Sequence, residues 1–337
     1  LRAVCGLHST EQQVDSTSTQ NTPPETTAGA QQPTSLCGRF LGLIRFSHTV
    51  FALPFAALAC VLALSVPNPL PSLPGVQIAC RLLGVLACMV FARSAAMAFN
   101  RLVDAKIDAA NPRTASRHLP AGLLSARQAW SFFALMCLGF FASCGLFLPN
   151  WLPLALSVPV LLWICGYSLA KRFTSAAHAW LGIALAMSPI CAWIALRGEA
   201  CLANPADVMP AVWLALAIAF WVAGFDIIYA CQDADFDRSA GLRSIPASLG
   251  VVGALRLSAA FHLAMLVVLG ALPQLAPQLA LGWLYYSALL VVTVLIIRQH
   301  AIVSPNDLGR INIAFFNINA MISFCLSLAM GIDAWLR

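Results

Sequence analysis

The sequence has very few charged residues. Only 9% of its 337 residues are Asp, Glu, Lys or Arg, whereas an ordinary soluble domain has about 25%, and the mean hydropathy is +0.82. These values exclude a soluble globular protein. The apolar runs are continuous, which also excludes a transmembrane barrel, because barrel strands alternate over about ten residues. The composition therefore predicts an all-α membrane protein.

Closely spaced cysteine pairs and an early apolar stretch are also missing. None of the twelve cysteines forms a CxxC pair, so we interpret them as small packing residues rather than as a metal or redox site. The first residues contain no apolar stretch long enough for a signal-peptide core. They are rich in Ser, Thr, Gln and Pro, which predicts a disordered tail over 1–35 and a membrane domain over 36–337.

What the chain does have is a series of apolar runs close to the roughly 20 residues that a helix needs to span a bilayer. They predict about nine transmembrane helices around a central cavity. The runs cover residues 40–66, 76–99, 128–148, 151–170, 177–196, 209–232, 253–272, 278–297 and 313–335.

Positive charge is concentrated in alternate connections. The connections after the second, fourth, sixth and eighth runs, counted with Arg256 at the start of the seventh run, hold twelve of the 19 Lys and Arg residues, which predicts that these connections face the cytoplasm. The net charge of +6 fits anionic lipid headgroups and gives no indication of nucleic acid. We expect a multi-pass protein of a bacterial inner membrane, with no obligate protein partner evident.

Six of the 13 acidic residues lie in two short segments, 100–108 and 226–237. Ionisable groups at membrane depth are costly and are usually functional. Residues four or seven apart share a helix face, which predicts one oxygen-bearing face per segment, whereas Asp235 points away. The two faces comprise Asn100, Asp104 and Asp108, and Asp226, Asp233 and Asp237.

The two segments have similar surroundings, since each is followed by basic residues and then by Pro and Gly. This predicts two pseudo-repeated halves that face one cavity. Clustered carboxylates repel unless a cation neutralises them, and hard oxygen ligands suit Mg²⁺ with a phosphate. All six residues of the two faces are therefore candidate metal ligands. Surface ion pairs are the structural alternative. The cations expected to meet phosphate charge are Lys106, Arg113, Arg117, Arg238 and Arg243.

Both segments resemble the two signature regions of the UbiA superfamily of intramembrane prenyltransferases, usually written NDxxDxxxD and DxxxxxxDxxxD, and the resemblance extends from about residue 40 to the end. It implies that the aspartates bind Mg²⁺ and an isoprenyl diphosphate, with Asp104, Asp108, Asp233 and Asp237 as catalytic residues. Arg101 stands where the family has an aspartate. In this form the first motif looks like the 4-hydroxybenzoate polyprenyltransferase-like branch, of which some members act in futalosine-route menaquinone synthesis.

The same resemblance implies roles for five more side chains. Arg93 matches a family arginine of the substrate cavity, and Tyr167 with Lys171 matches a YxxxK element near the diphosphate. Arg45 and His48 lie where family members contact the aromatic acceptor. Interfacial or core positions are the structural alternatives. The predicted substrate-binding residues are Asn100, Arg93, Arg45, His48, Arg113, Arg117, Tyr167, Lys171, Asp226 and Arg243.

The resemblance implies Mg²⁺-dependent transfer of a polyprenyl group from polyprenyl diphosphate to a ring carbon of an aromatic acid. The acceptor would be 4-hydroxybenzoate or a dihydroxynaphthoate, in ubiquinone or menaquinone biosynthesis. Prenyl transfer to another lipid-quinone or haem precursor is an alternative. A cation-coupled transporter is another, and it predicts acids near mid-bilayer. An alcohol phosphotransferase would need a D-G-x-x-A-R signature, which is absent. No function is predicted for His178.

Overall fold

The computed structural model describes residues 35–43, 53–67, 74–305, 308–309, 311 and 314–336. Within these ranges the chain forms helices joined by turns. The α-helices, numbered in chain order, are α1 (Leu36–Leu43), α2 (Leu53–Ser65), α3 (Gly75–Val103), α4 (Ala105–Ala110), α5 (Ala126–Cys144), α6 (Leu152–Ala170), α7 (Ala177–Ala203), α8 (Met209–Ala230), α9 (Ala234–Ser239), α10 (Ile245–Leu275), α11 (Trp283–Ala301) and α12 (Asn319–Trp335).

Eight helices of the described residues are long and apolar enough to cross a membrane. They are α3, α5, α6, α7, α8, α10, α11 and α12, which confirms the predicted all-α membrane fold. The predicted number of nine is approximate. Helix α2 has 13 residues, fewer than a span needs, and residues 44–52 of the first predicted run lie outside the described residues.

Helix α8 lies at the centre of the bundle, with α7 and α10 packed against it. Apart from Asp226, its sequence is apolar on every face, as expected of a helix that is surrounded by others. Trp221 of α8 is buried, and its indole N–H donates to Asn319 Oδ1 of α12 at 3.2 Å. This hydrogen bond connects the central helix to the last one.

Helices α7 and α8 approach each other closely at Gly182. A Cβ atom added to Gly182 would lie 2.5 Å from the carbonyl oxygen of Ala219, so only glycine permits this contact. His178 lies one turn before Gly182 on α7. The close approach therefore places the imidazole of His178 against α8.

The bundle end away from the two acidic segments is held by buried ion pairs. Arg197 interrupts α7, with φ −122° and ψ 22°, and its guanidinium pairs with Asp207 at 2.6 Å. The same guanidinium donates to the carbonyl oxygens of Ala63 and Val66. These carbonyls belong to the end of α2, where helical partners are lacking. Arg197 of α7 therefore supplies hydrogen-bond donors to carbonyl oxygens at the C-terminal end of α2.

The two acidic segments have the same local backbone. Asp104 follows α3 with φ −94° and ψ 2° and precedes the six-residue helix α4. Asp233 ends a 3₁₀ turn after α8 with φ −106° and ψ 7° and precedes the six-residue helix α9. These dihedral angles lie outside the regular helical region, so each aspartate interrupts a helix. In both segments the next aspartate of the motif, Asp108 or Asp237, is the fourth residue of the short helix.

Candidate active site

The first carboxylate turn, residues 100–108, holds Asp104 between two side-chain donors. Asn100 Nδ2 donates to Asp104 Oδ2 at 2.8 Å, and Arg172 Nη2 donates to Asp104 Oδ1 at 3.0 Å. Burial raises the pKa of the Asp104 carboxyl, although the hydrogen bond and charge of Arg172 oppose this effect. Asp104 therefore lies where a nearby cation would favour its ionised form.

Asp108 is the buried carboxylate of the first turn. Arg117 Nη1 pairs with its Oδ1 at 2.6 Å, and Arg101 Nη1 lies 3.9 Å from its Oδ2. Oδ2 is itself buried and accepts no hydrogen bond from the described residues. A buried acceptor of this kind is unusual in a folded protein, and it leaves an oxygen available to a ligand.

The second carboxylate turn, residues 226–237, is tied to the first through Asp233. Arg113 donates through Nε to Asp233 Oδ1 at 2.8 Å and through Nη2 to Oδ2 at 2.5 Å. Asn111 Nδ2 adds a hydrogen bond to Oδ1 at 3.1 Å. Burial alone would lower the pKa of Arg113, but the hydrogen bonds and charge of Asp233 outweigh it and raise this pKa. The loop after the first turn thus neutralises an acid of the second.

The other two acids of the second turn have partners on different helices. Asp237 is buried and pairs with Lys171 Nζ at 3.2 Å. Asp226 Oδ2 lies 2.7 Å from Nδ1 of His178, whose side chain is fully buried. The backbone N–H of Ile245 donates to His178 Nε2 at 3.4 Å. Nε2 is therefore unprotonated, so the proton is on Nδ1 and is donated to Asp226.

The acids of both turns, with Arg113, Arg117, Lys171 and Arg172, line a cavity of about 260 Å³, which we call the charged cavity. It is lined by equal numbers of carboxylates and cations, so its formal charge is balanced. The charged residues are Asp104, Asp108, Asp226, Asp233 and Asp237, and Arg101, Arg113, Arg117, Lys171 and Arg172.

A second cavity of about 290 Å³, the apolar cavity, adjoins the first. Arg93 also lines it, with a buried Nε that has no hydrogen-bond partner among the described residues. Four residues line both cavities: Met97, Tyr167, Leu181 and Asp226. The aromatic and branched residues of the apolar cavity include Val85, Phe140, Phe147, Val160, Ile164 and Phe225.

Most of the predicted site residues come together in these two cavities. Arg93 lines the apolar cavity. Arg45 and His48 lie outside the described residues, so their roles stay predictions. The predicted residues in the charged cavity are Asn100, Asp104, Asp108, Arg113, Arg117, Tyr167, Lys171, Asp226, Asp233 and Asp237.

Three of the predicted phosphate-binding cations do not line the charged cavity. Lys106 is exposed on α4. Arg243 is exposed, and its Nη1 donates to the carbonyl of Phe173 at 2.8 Å. Arg238 pairs with Asp235 at 3.0 Å, and the Asp235 side chain is 99% exposed. The structure therefore separates these residues from the paired acids inside.

Several residues of the site, among them His178 and Arg172, were missed by the sequence interpretation. His178 and its partner Asp226 are on different helices and 48 positions apart, so no helical spacing relates them. Arg172 directly follows the predicted Lys171, and it is Arg172 that reaches Asp104. The available signal was a second cation at the end of α6, but sequence spacing does not say which carboxylate each cation reaches.

The donor set fits Mg²⁺ in a particular way. All predicted ligand atoms are carboxylate or amide oxygens, which Mg²⁺ prefers. Within the described part of the chain, however, no three His, Cys, Asp or Glu side chains are grouped closely enough to form a metal cage. Mg²⁺ commonly takes one or two carboxylates and completes its shell with water and phosphate oxygens. The residues therefore fit Mg²⁺ that is held jointly with a phosphate ligand.

Comparison with known proteins identifies relatives over most of the chain. The sequence model of the UbiA prenyltransferase family matches residues 46–321. A 4-hydroxybenzoate octaprenyltransferase of Nitrosomonas europaea is 34% identical over 235 residues, which cover 68% of this chain and 74% of that protein. The enzyme of the same name from Vibrio cholerae is 31% identical over 262 residues, which cover 76% and 85%.

Solved structures show the same fold. A UbiA homolog from Aeropyrum pernix K1, solved in its apo form, is 34% identical, with a TM-score of 0.73 over 85% of this chain and 98% of that one. A UbiA homolog from Archaeoglobus fulgidus, bound to GPP and Mg²⁺, has a TM-score of 0.55 at 19% identity, over 89% of this chain and 100% of that one. At that identity the second likeness concerns the fold alone.

Proposed function

The chain belongs to the UbiA prenyltransferase family and is a prenyltransferase, and from this premise we propose that it transfers a polyprenyl group from polyprenyl diphosphate to a ring carbon of 4-hydroxybenzoate or a related aromatic acid. One observation carries the proposal. A charge-balanced cavity of acids and bases adjoins an apolar cavity, with Tyr167 and Asp226 lining both. A substrate with a diphosphate head and an isoprenoid tail needs both environments.

The charged cavity would hold the diphosphate. Arg117, Lys171 and Arg172 supply cations to its oxygens, and Arg–phosphate contacts are strong because the donors are charged. The carboxylates of the two turns would hold Mg²⁺, which supplies Lewis-acid stabilisation of the departing diphosphate. The oxygen of Asp108 that accepts no hydrogen bond from the described residues supports this role, because it offers a ligand atom without breaking a hydrogen bond.

The apolar cavity would hold the first part of the prenyl tail. Its volume of about 290 Å³ is at the lower end of the roughly 300–1,000 Å³ of ligand pockets, so a long polyprenyl chain extends beyond it. Walls of Phe140, Phe147 and Phe225 would exclude water from the allylic cation, which protects this cation from hydrolysis. The electron-rich ring of the acceptor would then capture the cation and lose a proton.

The acceptor carboxylate would pair with a cation at the edge of the apolar cavity. Arg93 lines this cavity with a buried Nε that no described residue accepts from. A buried arginine of this kind favours an anionic partner, which an aromatic acid supplies. Arg45 and His48 stay predicted acceptor contacts. An acid with a phenolic ring would make the product a precursor of ubiquinone or menaquinone.

We also propose that the charged cavity opens to the cytoplasm of a bacterial inner membrane. The support is the loop bias, since the connections near this cavity carry most of the Lys and Arg residues. The transporter alternative has no comparable support. The acids lie where helices α3 and α8 end, among arginines that suit phosphate better than they suit a passing cation.

Prenyl transfer in isolated membranes tests the proposal. Membranes that contain the chain are given labelled 4-hydroxybenzoate and polyprenyl diphosphate, with Mg²⁺ or with a chelator. We expect prenylated product only with Mg²⁺, and its loss in Asp104→Ala and Asp233→Ala. Asp235→Ala is the matched control, because it removes an exposed acid of the same segment. Product that survives chelation and both cavity substitutions would refute the proposed function.

A further inference from the structure

The carboxylates of the charged cavity are already neutralised by the protein's own cations. Asp104 pairs with Arg172, Asp108 with Arg117, Asp233 with Arg113 and Asp237 with Lys171. Such pairs stabilise the closely spaced acids. They also occupy oxygens that a metal ion would use, so a metal ion that takes one of these oxygens must displace a cation.

Asp233 has the most complete set of partners. Both of its oxygens accept from the guanidinium fork of Arg113, and Oδ1 also accepts from Asn111. Bidentate pairs of this kind are among the strongest side-chain hydrogen bonds. A metal ion that approaches Asp233 meets a positive charge at the oxygens it must bind. The guanidinium of Arg113 therefore opposes metal binding at Asp233.

Arg113 also lies where its side chain can change partner. It lies in the loop 111–125, whereas Lys171 and Arg172 directly follow α6. Its side chain is 32% exposed, while that of Asp233 is 11% exposed. Its Nη1 already donates to the hydroxyl of Tyr229 at 3.1 Å. Tyr229 also lines the charged cavity. A half-exposed loop arginine needs no helix movement to change its partner.

We propose that Arg113 is a place-holding counter-ion: it neutralises Asp233 in the empty site, and it exchanges this carboxylate for the diphosphate when a metal ion takes Asp233. The inference rests on the proposed function and deepens it. Arg113 opposes binding of the metal alone, because its guanidinium then loses an anionic partner. When the diphosphate arrives as well, the guanidinium gains one. Metal and diphosphate therefore bind synergistically, as linked ligands do when each one changes the site for the other.

The charge balance of the cavity leads to the same result. Equal numbers of carboxylates and cations line it, so a divalent cation alone or a diphosphate alone would leave a net charge in a half-buried space, which is costly. The two together nearly cancel. When Arg113 moves from Asp233 to the diphosphate, the metal ion and the diphosphate can both bind, and Arg113 keeps an anionic partner.

Two affinities that move in opposite directions provide the test. Mn²⁺ is titrated into the purified protein in detergent, without any diphosphate, and free Mn²⁺ is measured by electron paramagnetic resonance. In a second titration, a slowly reacting prenyl thiodiphosphate is added at saturating Mg²⁺. In Arg113→Gln we expect Mn²⁺ alone to bind about tenfold more tightly and the analogue about tenfold more weakly. A purely structural arginine would give weaker binding of both.

Matched variants keep the result interpretable. Arg238→Gln removes an arginine that pairs with an exposed aspartate of the second turn, so neither affinity should change. Arg113→Lys keeps the charge without the fork and should fall between wild type and Arg113→Gln, which covers the case in which the glutamine variant unfolds. Weaker or unchanged Mn²⁺ binding in both Arg113 variants would overturn the exchange. Wild-type protein that binds neither probe would instead refute the proposed function.

Discussion

The two carboxylate turns share a backbone conformation but lead into unequal loops. Each has an aspartate at a helix interruption and another four residues later. After the first turn, the loop 111–125 supplies Asn111, Arg113 and Arg117 to the cavity. After the second, Gly241, with φ +68°, makes a short turn into α10. The repeated part of the fold supplies acids, and the longer first loop supplies the cations of Asp108 and Asp233, whereas Asp104 and Asp237 pair with Arg172 and Lys171 after α6.

Because their loops differ, the two carboxylate turns contribute differently to the site. Arg113 crosses from the first loop to Asp233 in the second turn, so the longer loop neutralises acids of both halves. The second half contributes a fixed position instead, because Asp226 accepts from a histidine that is fully buried. An adaptable half therefore faces a rigid half across one cavity, and substitutions in the two halves distinguish these roles.

The largest effect is expected from the last aspartate of each motif. Asp108→Asn and Asp237→Asn keep the side-chain size but remove a negative charge that would bind the metal, so we expect each to lower kcat/KM for prenyl transfer by about 100-fold or more. Losses that differ by more than about tenfold between the variants would show that the two turns are not equivalent in function.

The next largest effect is expected from substitution of His178, which belongs to the rigid half. His178→Leu leaves Asp226 without its buried donor, and loss of such a supporting contact costs about 10–100-fold in metal affinity or activity. His178→Asn should restore most of this loss, since its amide replaces the Nδ1 donor. Half-saturation by Mg²⁺ and kcat/KM are the measurements. If the asparagine variant is no better than the leucine variant, the histidine acts only through packing.

Arg172 gives a smaller effect in the adaptable half. Its side chain is 40% exposed, and exposed pairs contribute about 0.2–1 kcal/mol. We therefore expect Arg172→Gln to raise the KM for polyprenyl diphosphate by about fivefold at most and to leave kcat nearly unchanged. Initial rates at varied diphosphate concentration measure this. A large fall in kcat would instead place Arg172 at the reacting bond.

The smallest effect is expected at the exposed pair of the second turn. Asp235→Asn removes an ion pair with Arg238 that faces solvent, so kcat/KM should stay within about twofold. The thermal unfolding midpoint in detergent should not move measurably either. A loss comparable with that of Asp237→Asn would mean that the exposed face of α9 takes part in the reaction.

Helical spacing grouped the carboxylates of each segment even though Asp104 and Asp233 interrupt their helices, because the short helices α4 and α9 begin at the next residue. The run 76–99 corresponds to α3, and its continuation through Val103 carries Asn100 to the site. Asp235 was excluded by its spacing, and it is exposed. Partners brought in by other helices follow no such rule. His178 and Arg172 reach their acids through tertiary packing, which one sequence does not encode as a spacing.

Helix boundaries were predicted less well than helix existence, for local reasons. Helix α10 begins at Ile245, eight residues before the predicted run 253–272, because Ser244 accepts a hydrogen bond from the N–H of Ala247 and Pro246 suits a first helical turn. Gly250 interrupts this helix at φ +69°. Hydropathy alone therefore predicted only the regular helix that follows Gly250. Arg243 precedes this cap, and the turn directs it to Phe173.

Gly182 carries no functional group, yet the chemistry of the site constrains it. A methyl group at this position would meet the backbone of α8 at Ala219, and the two helices would have to separate. One turn away, the 2.7 Å contact between His178 and Asp226 would lengthen with them. A larger residue at position 182 would therefore disturb the site indirectly, by lengthening the hydrogen bond between His178 and Asp226.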